Sequence, residues 1–167
     1  MILTQTSIKE VLDYNPLTGE FRWRKTVSRT RAGSVAGKPT KNGYRVIGIG
    51  RRHFLSHRLA WLYVHGKWPR EQIDHINGNR SDNRIENLRE ASHSENCQHL
   101  RAARRDNKSC GLLGATWCKR DKRWLAGITV NNKRKYIGSF GSAQEAHHAY
   151  LAAKAKLHPF SAEARLN

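Results

Sequence analysis

The chain has 167 residues, 38% of them hydrophobic with five tryptophans, enough for one domain or two small ones with cores of their own. Thirty-one Lys and Arg against thirteen Asp and Glu leave a net charge of +18, a positive field that draws phosphate backbones. No run of 18 apolar residues exists and polar residues begin at Thr4, which argues against a membrane span or a signal peptide and predicts a cytoplasmic protein.

Residues 4–13 read as a short helix, with Ser7-x-x-Glu10 as a capping box and Ile8, Val11 and Leu12 on one face. Asn15-Pro16-Leu17-Thr18-Gly19 is the turn that stops it. Phe21 and Trp23 alternate with Arg22 and Arg24, as in a half-buried strand. Residues 25–42 read as loop with short strands. Tyr44–Ile49 and His53–Leu55 form a hairpin turning near Gly50-Arg51. A helix over 56–65 carries Leu59, Leu62 and Tyr63 on one stripe, with Trp61 beside it, and ends at Gly66.

A short strand, Gln72–Ile76, then leads into a polar loop. A brief strand over Glu86–Arg89 follows, and then a helix whose start is marked by Ser92-x-x-Glu95. The capping box places Asn96 in the first helical turn. The helix is expected to run to about Asn107, with Arg101, Arg104, Arg105 and Lys108 as one basic stripe along a phosphate backbone.

The polar stretch Asp106–Gly111 is the expected domain boundary, dividing the chain into 1–107 and 108–167. Beyond it, Ala115–Cys118, Trp124–Val130 and Arg134–Phe140 read as three strands. A last helix over about 143–157 is capped by Ser142-x-x-Glu145, with Ala146, Ala149, Tyr150, Ala153 and Leu157 on its buried face. Between Lys108 and Gly141 stand eight Lys or Arg and one acid, Asp121. Three cysteines, Cys97, Cys110 and Cys118, have no C-x-x-C spacing, which argues against a disulfide framework or a zinc knuckle.

The chemistry concentrates in Asp74-His75-Ile76-Asn77-Gly78-Asn79, Asp82-Asn83-Arg84, Glu86-Asn87-Leu88-Arg89 and Asn96. Hydrolysing a phosphodiester needs a base to activate water and a cation to offset the charge that develops on the phosphate. His75 is mostly neutral at cellular pH and is the candidate base. Asp74 and Asn96 offer hard oxygens to one ion per site, Mg²⁺ or alternatively Mn²⁺. Asn87 suits pinning the loop, because an amide both donates and accepts. Alternation along a strand sends Asp74 and His75 to opposite faces, so a twisted strand end is needed to bring both to one site.

These motifs, with His57-Arg58-Leu59-Ala60-Trp61 and Glu95-Asn96, resemble phage HNH endonucleases of the homing type over residues 57–99. Tyr14-Asn15-Pro16-Leu17-Thr18-Gly19 and Phe21 are similar to the leader of those proteins. Residues 111–158 resemble the ethylene-response-factor (Apetala-type) DNA-binding domain through Gly114-Ala115, Trp124, Ile128, Tyr136-Ile137-Gly138-Ser139-Phe140, Glu145-Ala146 and Ala149-Tyr150. The resemblance implies an α+β chain. A ββα-metal nuclease core at about 70–105, with an N-terminal helix and strand extension, precedes a small three-stranded antiparallel sheet packed on one helix. It makes His75 the first letter of the motif and general base, Asn87 the middle letter, and Asn96 the last letter and metal ligand beside Asp74. The last letter is thus N rather than H, a variant that suits Mg²⁺ or Mn²⁺ better than zinc. His57 and His99 are read as packing and plain helical residues.

In the C-terminal part, alternation turns Ala126, Ile128 and Val130 toward the helix. Thr129, Arg134 and Tyr136, joined by Thr116, Arg123 and Lys133, then face DNA, and Arg84 joins them from the nuclease loop. Where plant members carry arginines this chain has Thr116, Cys118 and Thr129, so their base preferences do not transfer. The expected partner is double-stranded DNA, with no membrane and no small-molecule substrate, in the cytoplasm of a bacterial host. Monomer and homodimer stay open, as does nicking against double-strand cutting. The rival classes are a non-catalytic DNA-binding regulator on the same scaffold and an RNA-binding or packaging protein.

Overall fold

A computed structural model describes residues 3–26, 30–98 and 110–161. They form a mixed α and β protein, and its strands pair in small antiparallel sheets. The chain divides into two compact units, Met1–Ser92 and His93–Asn167. The boundary expected at 107/108 falls among residues 99–109, outside the described residues, as do Arg101, Arg104, Arg105, Lys108 and His99. No helix among the described residues is long and apolar enough to cross a membrane.

The first unit opens on α1 (Gln5–Val11), capped by Thr4 rather than Ser7. The Thr4 side chain accepts from the Ser7 N–H and Ser7 Oγ answers the Thr4 N–H at 2.9 Å, so the expected capping box lies one turn earlier. The helix stops at Val11 because the next residues are worth more as a strand. In β1 (Leu12–Asn15) the pattern is buried–exposed–buried–exposed, and it pairs with β2 (Glu20–Trp23), setting Tyr14 opposite Phe21. Their rings pack at a tilt of 35°, with centroids 4.7 Å apart. The short β3 (Lys38–Pro39) pairs with β4 (Arg45–Ile49), and β4 with β5 (Arg52–Leu55). Helix α2 (Ser56–His65) ends on left-handed Gly66, as read from the sequence.

Ile8, Leu12, Phe21, Ile47 and Leu59 are essentially excluded from solvent and join Ile73 and Leu88 in one core. Each such side chain contributes about 1.5–3 kcal/mol on burial. This core holds the hairpin of β6 (Gln72–His75) and β7 (Leu88–Ala91), in which Asp74 stands opposite Arg89 and His75 opposite Leu88. The expected strand over Glu86–Arg89 begins as a 3-10 turn, Ile85–Asn87, which swings Asn87 back under the loop before β7 starts.

The second unit begins with α3 (His93–Gln98), directly after Ser92 as the capping signal placed it. The strands β8 (Ala115–Cys118), β9 (Arg123–Val130) and β10 (Lys133–Phe140) form one antiparallel sheet in the order β10-β9-β8. Helix α4 (Ala143–Leu157) is capped by Ser142 Oγ, which accepts from the Glu145 N–H at 3.1 Å. Ala115, Ala126 and Ala146 are buried between sheet and helix, with Ala149 and Phe140 against them. Gly114 is required there, because a Cβ would meet the Tyr150 ring at 2.0 Å. The helix face differs from the expected one at its far end. Leu157 is 37% exposed, while Lys154, which shares the stripe of Ala146 and Tyr150, is 1% exposed. Lysine reads as polar in a sequence, yet here its whole side chain is enclosed.

Candidate active site

The loop between β6 and β7 is ordered by its own short polar side chains. Asn77 Oδ1 accepts from the Asn79 N–H at 2.8 Å, Asn79 Oδ1 from the Ser81 N–H at 3.1 Å, and Asp82 Oδ1 from the Arg84 N–H at 3.3 Å. These successive Asx turns set the bend with little help from packing. Asn77 Nδ2 also donates to Asp82 Oδ2 at 2.7 Å, tying one end of the loop to the other.

Asn87 closes the loop from beneath. Its Oδ1 accepts from the Asn77 N–H at 2.9 Å, its Nδ2 donates to the Asp82 carbonyl at 2.8 Å, and its own carbonyl accepts from the Ile76 N–H at 2.8 Å. The buried amide thus uses both its donor and its acceptor to hold the residues on either side of the bend.

His75 is the last residue of β6 and is 4% exposed. Its Nε2 lies 3.3 Å from Asn83 Oδ1. Asn83 Nδ2 is committed to the Ser81 carbonyl at 3.1 Å, so the oxygen faces the imidazole and needs an N–H there. The proton of neutral His75 therefore sits on Nε2, and Nδ1 carries the lone pair. Asn83 is fixed in turn by Tyr14, whose hydroxyl donates to the Asn83 carbonyl at 2.7 Å. Burial pushes that phenol up to about 12. Gly19, in the β1–β2 turn, lies so close that a Cβ would meet Arg84 N at 2.5 Å. The N-terminal hairpin thereby supports the loop of the site.

Aromatic rings wall His75. His57 packs edge-on at 5.0 Å between centroids, and Tyr44 lies 5.3 Å from His57 and 6.0 Å from His75. Burial lowers the His75 pKa, against the pull of Asn83, Asp74 and Asp82, and keeps the imidazole neutral. His57 is lowered to about 3, by burial first and then by the charges of His75 and Arg58. The unfolded chain takes up this proton below about pH 6.5, so between about 6.5 and about 3 it binds one proton more than the folded chain. Stability is then full above that window and falls as the pH drops through it, by on the order of a few kcal/mol. His57→Phe is expected to flatten this acid limb. Urea unfolding at a series of pH values reads it, and an unchanged slope would contradict the burial argument.

Asp74, 5% exposed, accepts two hydrogen bonds from Arg89 on Oδ2, from Nε at 2.9 Å and Nη2 at 2.7 Å. Arg84 makes a parallel arrangement in the loop, with Nε on Asp82 Oδ1 at 2.9 Å, Nη2 on Asp82 Oδ2 at 2.9 Å and Nη1 on Glu86 Oε1 at 2.8 Å. Its hydrogen bonds lower the Asp82 pKa to about 2. Asn96 is half-buried on α3, in the second unit, whereas Asp74, His75 and Asn87 belong to the first. No group of three or more His, Cys, Asp or Glu among the described residues is arranged to hold a metal.

On the second unit, Thr116, Arg123, Thr129, Lys133, Arg134 and Tyr136 are all exposed. Thr129 pairs with Arg134 and Gly127 with Tyr136, so the four share one sheet face. The Arg134 guanidinium lies across Gly127, where a Cβ would meet its Nε at 3.1 Å.

Asn83 and Arg89 stand inside the motif but have no role of their own in the sequence reading, and Tyr44 figures there only as a strand residue. Asn83 read as a turn residue, and Arg89 meets Asp74 only through a strand register that a long loop hides. The available signal was a run of Asn and Asp longer than one turn needs.

Asp74 and His75 end strand β6, and the loop that follows is clamped by Asn87. Residues 54–98 match the family model described as HNH endonuclease. Among curated proteins, "Protein 3.8" of Escherichia phage T7 is 30% identical over 79 residues, which make up 47% of this chain and 64% of that protein. The match therefore spans less than two thirds of that relative. No solved structure matches the chain.

Proposed function

We propose that the chain is a phage-type, metal-dependent DNA endonuclease of the homing kind, in which the first unit cuts and the second holds the duplex. The observation that carries this is the placement of His75: buried at the end of β6, with Nε2 3.3 Å from the acceptor Asn83 Oδ1, which favours a neutral imidazole with its lone pair on Nδ1, beside a loop clamped by Asn87. A base needs that protonation state and that fixed geometry.

Asp74 would hold the ion from the first unit. The donor chemistry fits, because a buried carboxylate is a hard ligand suited to Mg²⁺ or Mn²⁺. When bound, such an ion supplies positive charge against the charge developing on the phosphate. His75 Nδ1 takes a proton from a water as its oxygen bonds to phosphorus. The bond from phosphorus to the 3′ oxygen breaks, and that oxygen takes a proton from solvent. The products are a 3′-hydroxyl and a 5′-phosphate. Asn83 holds the imidazole in its reactive tautomer and the rings of His57 and Tyr44 keep water from its other faces.

The C-terminal sheet, read as an ethylene-response-factor-like module, contributes affinity through Thr116, Arg123, Thr129, Arg134 and Tyr136, with Lys133, whose register partner is Val130, at the start of β10. A two- or three-stranded face of this kind fits the major groove. Arg134→Ala is expected to weaken duplex binding and to reduce the salt dependence by about one counterion. Filter binding over a salt series measures both, and an unaltered slope removes Arg134 from the interface.

The function itself is tested with a supercoiled plasmid in Mg²⁺, in Mn²⁺ and in chelator. Nicking or linearisation in the metals alone is the expected outcome. Tight duplex binding without cutting in any divalent metal would return the chain to the class of DNA-binding regulators.

A further inference from the structure

We infer that Arg89 is an internal counter-ion that competes with the divalent cation for Asp74 and so sets the metal affinity of the site. The inference rests on the nuclease reading above and adds a residue that reading does not use.

The register of the β6–β7 hairpin puts Arg89 directly across from Asp74. Both its Nε and its Nη2 converge on one carboxylate oxygen, Oδ2, at 2.9 and 2.7 Å. The Asp74 side chain is 6% exposed and that of Arg89 22%. This is a well-desolvated ion pair rather than a surface contact, and breaking such a pair by removing one partner leaves a costly buried charge. The carboxylate is thus already neutralised when the site holds no ion. Any cation that binds Asp74 must share it with a guanidinium, which stays charged at every accessible pH.

The direction of the effect separates this role from a structural one. If Arg89 merely straps Asp74 in place, its loss loosens the ligand and weakens metal binding. If it competes, its loss strengthens metal binding by two routes. The metal-free form becomes less favourable, because Asp74 is left buried without its counter-charge, and the metal-bound form loses a repulsion between like charges. Replacing Arg89 with glutamine keeps one N–H donor group for Asp74 and removes the charge.

The test uses the full chain and Mn²⁺ alone, with free Mn²⁺ read by electron paramagnetic resonance. Wild type, Arg89→Gln, Arg89→Lys and Asp74→Asn are compared. Arg89→Gln is expected to bind Mn²⁺ about tenfold more tightly than wild type. Arg89→Lys, which keeps the charge and loses the two-pronged geometry, falls between them. Asp74→Asn loses the site. Arg89→Gln binding Mn²⁺ as wild type does, or more weakly, overturns the inference and leaves the nuclease reading standing. A site that appears in Arg89→Gln and not in wild type supports it. Absence of Mn²⁺ binding from wild type and Arg89→Gln alike, with no plasmid cutting by wild type, overturns both. Should Arg89→Gln fail to fold, as judged by circular dichroism, Arg89→Lys decides: tighter binding supports competition and weaker or equal binding refutes it.

Discussion

His75→Ala is expected to lose metal-supported plasmid cutting by about 10²–10⁴-fold, the usual worth of a general base, while duplex binding persists. The residue sits at the end of β6, buried, with Nε2 at 3.3 Å from Asn83 Oδ1. Removing the ring takes away the lone pair that receives the water proton and leaves the positive surfaces of the chain unchanged. Alanine also leaves a cavity between His57 and Tyr44, so the loss needs a control for folding. His75→Gln supplies it, since a glutamine amide can still donate to Asn83 and fills part of the space. It should fold like wild type and remain inactive. Cutting by either variant at the wild-type rate would remove His75 from the reaction.

The second large effect is expected at Asn87, which touches no reacting atom. Asn87→Ala leaves the Asn77 N–H and the Asp82 carbonyl without their partners, at distances now of 2.9 and 2.8 Å. Unpaired groups of this kind cost about 1–3 kcal/mol each, so the midpoint of urea unfolding should fall clearly. Cutting should fall by about 10²-fold or more, because a shift of about 1 Å in a catalytic group has that consequence. Asn87→Asp separates the two bonds. It keeps the acceptor for Asn77 and loses the donor to Asp82, and should lie between alanine and wild type. A variant that is less stable yet cuts at full rate would show that the clamp serves folding alone.

Local signals were read well from the chain. The alternation of Phe21 and Trp23, the hairpin turning at Gly50-Arg51, the helix ending at Gly66 and the three C-terminal strands all depend on neighbours a few residues apart. Those are interactions that periodicity and turn chemistry report. Misreadings occurred where distant partners decide. Residues 12–15 leave the first helix because β2 offers them a pairing. Lys154 is buried because α4 lies on a sheet.

The site divides in the same way. Sequence by itself determined which chemical groups are available: an acid and an imidazole adjacent on one strand, short amides in a loop, and a strong positive charge. These follow from residue identity and spacing. Tertiary structure alone decided the state of those groups. The tautomer of His75 depends on Asn83, eight residues away, and Asn83 depends on Tyr14, sixty-nine residues away. The counter-charge on Asp74 depends on a strand register that pairs residues fifteen apart in the chain. Burial and hydrogen-bond direction set protonation and affinity, and both arise only when separated segments pack together.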